Sequence, residues 1–207
     1  PPPLVNTRRP MFISFEGPDG SGKSTQIELL AAELRAAGHE VVTVREPGGT
    51  PAGEKIRAIL LGEGGAVSVD PRADALLFNA SRAQLVADVI EPALARGAIV
   101  IADRFADSTL AYQGYGSGLP LDALRAIITF ATAGRTPDLT LLLDLAADQG
   151  GAEQAEGVFC LSHDAAPLGL ESGAIRPLRF VVDVSCQAHF CMAVGLQHRQ
   201  IQCDTHH

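Results

Sequence analysis

The chain has 207 residues, 46% of them hydrophobic, and a mean hydropathy of +0.16, a composition that builds a folded core rather than a disordered segment. Its formal net charge is −8, which argues against a duplex nucleic-acid binder. No apolar run approaches the length of a membrane span, which argues against a membrane partner.

The opening PPPLVNTRRP reads as a loose extension over residues 1–10, and the following MFISF is too short for a signal peptide, so a cytoplasmic location is expected. MFISFE (11–16) is a short apolar run rich in β formers and predicts a buried strand. KSTQIELLAAELRAAG predicts a helix ending at Gly38. EVVTVRE (40–46) predicts a second strand, and PAGEKIRAILLG a second helix. DALLFNASRAQLVADVIEPALARG (74–97) predicts one long helix, kinked or split near Glu91 by Pro92. AIVIADR (98–104) is a third strand, LDALRAIITFATAG (121–134) a helix, and DLTLLLDL (138–145) a fourth strand. RFVVDV (179–184) suits a fifth strand. The alternation predicts an α/β fold: a parallel sheet of about five strands with helices on both faces. Ligands of such sheets bind beyond the carboxyl ends of the strands.

Gly17-Pro18-Asp19-Gly20-Ser21-Gly22-Lys23-Ser24 matches G-x-x-x-x-G-K-[ST], after a strand and opening a helix. Glycines let backbone N–H groups converge on phosphate oxygens, and the helix N-terminus adds a favourable dipole. Lys23 is placed to reach the β/γ-phosphates and the Ser24 hydroxyl to ligate Mg²⁺. With Thr25, these residues form an expected ATP-binding loop. The loop alone does not choose among kinases, GTPases and ATPases, but no NKxD-type guanine signature is present.

FEGPDGSGKSTQ (15–26), REPGGT (45–50), LLFNASRAQLV (76–86) and DRFADSTLAYQG (103–114), followed by PDLTLLLD (137–144), resemble the thymidylate (dTMP) kinase family in order and spacing. The resemblance covers about residues 11–145. It implies a P-loop NTPase-type sheet and transfer of the γ-phosphoryl of ATP to dTMP, giving dTDP and ADP with Mg²⁺ in dTTP synthesis. It implies that Phe78 stacks on thymine, Arg82 hydrogen-bonds the base edge, Thr109 contacts the pyrimidine, Tyr112 packs on the sugar and Gln113 supports the pocket. It also implies that Arg104 grips the acceptor phosphate beside Lys23 and that Asp103 stands near Mg²⁺. Asp19 would meet the 3′-hydroxyl, and Arg45 and Glu46 would line the monophosphate side. Taken alone, Phe78 could be core packing, Arg82 and Arg45 could be ion-pair partners, and Asp103 a strand-end cap. The family resemblance also suggests a homodimer through the long helices and a mobile lid over the phosphates.

Past residue 145 the pattern changes. A lid arginine is expected when the P-loop carries no basic residue besides its lysine, yet no Arg or Lys lies between Arg135 and Arg176. All four cysteines and five of six histidines fall after residue 150. The expectation is that residues 146–207 are not native family sequence, as a frameshift would produce. A metal reading of Cys186, His189, Cys191, His198, Cys203, His206 and His207 fits no standard zinc spacing. Two alternatives to a dTMP kinase follow: a non-catalytic nucleotide-binding chain without its lid, or another nucleoside or nucleotide kinase of the same fold.

Overall fold

A computed structural model describes residues 9–63, 65, 68–144, 160–162 and 178–183. The chain runs β1 (Met11–Glu16), α1 (Lys23–Ala36), β2 (Val41–Arg45), α2 (Pro51–Leu60), α3 (Pro71–Leu85), a π-helical turn (Val86–Ile90) and α4 (Glu91–Ala95). It continues through β3 (Ile99–Asp103), α5 (Ala106–Thr109), a second π-helical segment (Leu110–Gly116), α6 (Leu121–Thr132), β4 (Leu139–Asp144), β5 (Cys160–Ser162) and β6 (Leu178–Asp183). The sheet order is β2-β3-β1-β4-β6-β5. Every neighbouring pair is parallel except β5 with β6. The parallel α/β architecture expected from the alternation is present, with six strands among the described residues rather than about five, because β5 adds an antiparallel edge. The strand expected at 179–184 lies at Leu178–Asp183, in register with β4 from Leu139 to Asp144.

The two faces of β1 explain the layering. Ile13 and Phe15 point to one side, where they pack with Ile27, Leu30 and Leu34 of α1 and with Ile101 and Leu141. Phe12 points to the other, against Leu85, Ile90, Leu94, Val100 and Phe105. Side chains alternate along a strand, so one six-residue strand serves two cores. Phe12 and Phe105 meet edge to face at 4.9 Å between centroids.

The expected long helix over 74–97 is present as an unbroken helical run over Pro71–Ala95 with a change of register inside it. It starts earlier, at Pro71 behind an Asp70 cap that accepts from the Arg72 amide, and it widens to a π turn at Val86. Pro92 has no N–H to give the carbonyl of Asp88, and its ring crowds that carbonyl. The chain answers by shifting register one residue: the Glu91 N–H reaches back five residues to Val86 O. The disturbance expected near Glu91 is thus a π turn over Val86–Ile90 that closes on the Glu91 amide. The helix α5 and the π segment after it were not foreseen, nor was β5.

Residues 1–8, the lid position after β4 and the cysteine- and histidine-rich tail lie outside the described residues. Among the described residues no helix is long and apolar enough to cross a membrane, and no cluster of three or more potential metal ligands occurs.

Candidate active site

The carboxyl ends of β1, β2 and β3 lie side by side, and each hands its chain to a segment with chemistry. After β1 the backbone turns sharply at Gly17, whose φ is +141° and where an added Cβ would sit 2.4 Å from Leu143 O. Only glycine fits there. Gly22, left-handed at φ +79°, caps α1 with no side-chain hydrogen bond, leaving the first-turn N–H groups to face outward. The loop is preshaped by its own lysine: Lys23 Nζ donates to Gly17 O at 3.1 Å and Pro18 O at 2.7 Å. Burial, then the nearby Arg104 cation, hold the Lys23 pKa below its usual value, while Asp103, Asp19 and Glu16 oppose them. Two cations thus stand near each other at the loop, with the carboxylates Asp19, Asp103 and Glu16 around them.

β3 ends at Asp103, whose Oδ2 accepts from Ser24 Oγ at 3.2 Å. A hydroxyl and a carboxylate from two elements thus face each other as hard oxygen donors, a pair suited to Mg²⁺. Arg104 follows with φ +69°, a conformation that costs a non-glycine residue on the order of 1–3 kcal/mol and points to an imposed geometry. Its amide still donates to Phe15 O at 2.9 Å, so the ladder continues while the side chain swings over the P-loop. There Nη2 donates to Asp19 at 2.5 Å, Nη1 donates to Ser108 Oγ at 3.2 Å, and the guanidinium carbon lies 5.4 Å from the Tyr112 ring centroid.

A buried network lies beneath. Arg82 is 1% exposed and donates to Glu46, Asn79, the Phe105 carbonyl and Thr109. The Glu46 carboxylate, 2.7 Å from Arg82 by its Oε2, has no partner for Oε1. Burial pushes its pKa up and the Arg82 charge opposes that rise. Arg82 is therefore a fully buried ion-pair partner, and four protein acceptors already occupy the guanidinium expected to meet a base. Phe78 stands half-buried one turn earlier on α3, beside the buried Asn79. Gln113 is buried and donates to Asp74, and Tyr112 is half-exposed at the mouth.

Arg45, at the end of β2, makes a two-oxygen pair with Glu54 at 2.9 and 3.1 Å, and Glu54 also accepts from the Gly49 amide. The ion-pair reading of Arg45 thus describes its position in the structure. A cleft of about 410 Å³ between α1 and β2 is lined by Ser24, Glu28, Arg35, Arg45 and Asp103 among others.

Sequence reasoning passed over Glu16, Glu54, Asp74, Asn79 and Ser108. The signal for Glu16 was there: one carboxylate closing an otherwise apolar strand. It is buried, accepts from the Phe105 amide at 2.8 Å and from Ser108 Oγ at 2.5 Å, and burial raises its pKa to about 7.

A family profile described as thymidylate kinase matches residues 15–155. The thymidylate kinase of Deinococcus radiodurans is 48% identical over 181 residues, covering 83% of this chain and 87% of the relative, a stretch that runs past residue 145. That of Chlorobium luteolum is 57% identical over 135 residues, covering 65% of this chain and 62% of its own length. The crystal structure of thymidylate kinase from Ehrlichia chaffeensis superposes with a TM-score of 0.61 at 41% identity, covering 66% of this chain and 72% of that one. The P-loop with its lysine folded inward, the oxygen pair suited to Mg²⁺ and the arginine at the end of β3 thus lie within the stretch the family profile matches, and the chain belongs to the thymidylate kinase family of nucleoside monophosphate kinases.

Proposed function

We propose that the chain binds ATP and dTMP and transfers the γ-phosphoryl to the dTMP 5′-phosphate, giving dTDP and ADP. The observation that carries this reading is the placement of Lys23, folded onto the Gly17 and Pro18 carbonyls, with the Arg104 guanidinium bonded to Asp19 of the same loop. Phosphoryl transfer is achieved by positioning and charge neutralisation, and both cations are built for that. The loop residues Gly17 to Thr25 hold the ATP phosphates. Ser24 and Asp103 would hold Mg²⁺, which supplies neutralisation of phosphate charge when bound. Arg104 grips the acceptor phosphate, for which a guanidinium fork is suited. Tyr112 takes the sugar, Asp19 the 3′-hydroxyl, and Phe78 the thymine ring. Arg82, Thr109 and Gln113 form the wall of the base pocket. Of the Arg82 guanidinium, one Nη1 hydrogen remains beyond the bond to Asn79, and it is the one that would meet the base edge. Arg45 and Glu46 line the monophosphate side, with Arg45 released from Glu54.

The working unit is a cytoplasmic homodimer on this reading. α3 packs against α2 and α6, and each of these helices leaves a large apolar side chain in water: Ile59, Leu76 and Phe130, the last 89% exposed. The catalytic body spans residues 11–145. Residues 1–10 are an extension and 146–207 a divergent segment, tested by reading the coding DNA in the other two frames for an arginine-rich lid.

Titration calorimetry tests the pocket. dTMP is expected to bind more tightly than dUMP, dCMP or dAMP; equal affinity for all four refutes the thymidylate assignment. One observation favours a second reading, a non-catalytic nucleotide binder: no Arg or Lys lies between Arg135 and Arg176. Tight dTMP binding with no turnover selects it.

A further inference from the structure

β1 carries two polar side chains on the face it shares with Phe12. Ser14 is satisfied across the sheet by Thr140 at 3.1 Å. Glu16 closes the strand, 4% exposed, and its carboxylate grips the segment that follows β3 twice. Oε1 accepts from the Phe105 amide, the residue after Arg104; Oε2 accepts from the Ser108 hydroxyl, one turn further on. The same hydroxyl accepts from Arg104 Nη1. A directed chain therefore runs from the Arg104 guanidinium through Ser108 to Glu16. The other guanidinium arm ends on Asp19, whose side chain is 96% exposed. Of the two anchors, only the Ser108–Glu16 one is set in the core.

We propose that Glu16 is a positioning residue for Arg104: it locks Phe105 and Ser108, and through them fixes the guanidinium that meets the acceptor phosphate. The proposal rests on the reading of Arg104 given above. The chemistry calls for a carboxylate, because both oxygens must accept. Glutamine at position 16 would present an amide donor to Ser108, and the hydroxyl would have to reverse. Two cations, Lys23 and Arg104, and two carboxylates, Asp107 and Glu46, surround Glu16. A left-handed Arg104 needs such support, since its own backbone preference works against the observed turn.

The test compares Glu16→Gln, Ser108→Ala, Ser108→Thr and the Glu16→Gln/Ser108→Ala double variant in the full chain. Two readouts are taken: steady-state kinetics in dTMP and ATP, and ¹⁵N NMR of the arginine guanidinium groups, with the Arg104 signals assigned by their loss in Arg104→Lys. Glu16→Gln and Ser108→Ala are each expected to lower kcat/KM for dTMP by roughly 10- to 100-fold, as a misplaced catalytic group does, with KM for ATP nearly unchanged. The double variant is expected to be no worse than the poorer single one. Ser108→Thr, which keeps the hydroxyl, restores activity, and the Arg104 signals move in every variant but that one. Losses that multiply in the double variant, or Arg104 signals unmoved in Glu16→Gln, overturn the proposal. If the unaltered chain shows no dTMP-dependent turnover, the kinase reading fails and the Arg104 signals alone decide this one. If Glu16→Gln does not fold, Ser108→Ala against Ser108→Thr decides it.

Discussion

Replacing Arg82 by methionine should unmask a buried carboxylate. The side chain is fully buried and lies 2.7–2.8 Å from Glu46 Oε2, while Oε1 has no hydrogen-bond partner among the described residues. Methionine keeps much of the volume and removes the charge. What remains is an unpaired carboxylate in the core, which costs about 3–5 kcal/mol when one member of a buried pair is deleted. For a domain of this size that corresponds to a fall in Tm of roughly 6–20 °C. The pH dependence follows from Glu46. Burial already raises its pKa and Arg82 restrains the rise, so without Arg82 the folded-state value climbs further. A carboxyl whose folded pKa exceeds its unfolded value favours folding below the unfolded pKa, and that contribution is lost as pH rises through the folded pKa. The deficit of Arg82→Met relative to the parent should therefore have a pH-independent part, from Asn79, the Phe105 carbonyl and Thr109 losing their donor, and a Glu46 part that grows as pH rises above the unfolded carboxyl range. Adding Glu46→Leu should remove the pH-dependent part and leave the rest. Urea unfolding at several pH values measures all three chains. A deficit under about 1 kcal/mol at pH 8, or one independent of pH, would refute the reasoning.

Three other outcomes are expected. Gly17→Ala brings a Cβ against Leu143 O in a φ +141° conformation, so ATP-dependent turnover should fall on the order of 100-fold and ATP should no longer raise Tm. The Glu16 carboxyl, raised from 4.5 to about 7, gives the folded state an extra proton between those values. Its contribution to stability, present below pH 4.5, should drain away by about 3 kcal/mol as pH rises through 7, and Glu16→Gln should remove that slope from urea titrations. Glu54→Gln weakens an exposed pair, so stability should change by less than about 1 kcal/mol, while freeing Arg45 should lower the dTMP dissociation constant measured by calorimetry.

What could be read from residues alone was whatever local pattern dictates. Lys23 at the start of a helix, the glycines before it and Asp103-Arg104 at a strand end are short-range statements, and the structure has them at the ends of β1 and β3 as read. Pro92 announced a disturbance but not its form, because a π turn is one of several ways to spare the Asp88 carbonyl. The segment Ala106–Gly116 carries no apolar period that separates an α from a π register, so its helix went unseen. Arg82 and Glu46 are 36 residues apart, and nothing local says that they meet. The same holds for Glu16 and Ser108, 92 residues apart. Buried polar networks are assembled by topology, and their members look like ordinary surface charges until the sheet brings β1, β2 and β3 together.

The central claim is that the loop of Lys23 and the arm of Arg104 serve phosphoryl transfer to dTMP. A coupled ADP-release assay on purified residues 1–207, with ATP, Mg²⁺ and dTMP and with Lys23→Ala beside it, tests it most directly. The account predicts ADP release that requires dTMP and vanishes in Lys23→Ala. ADP release independent of dTMP, or equal in the Lys23→Ala chain, would contradict it.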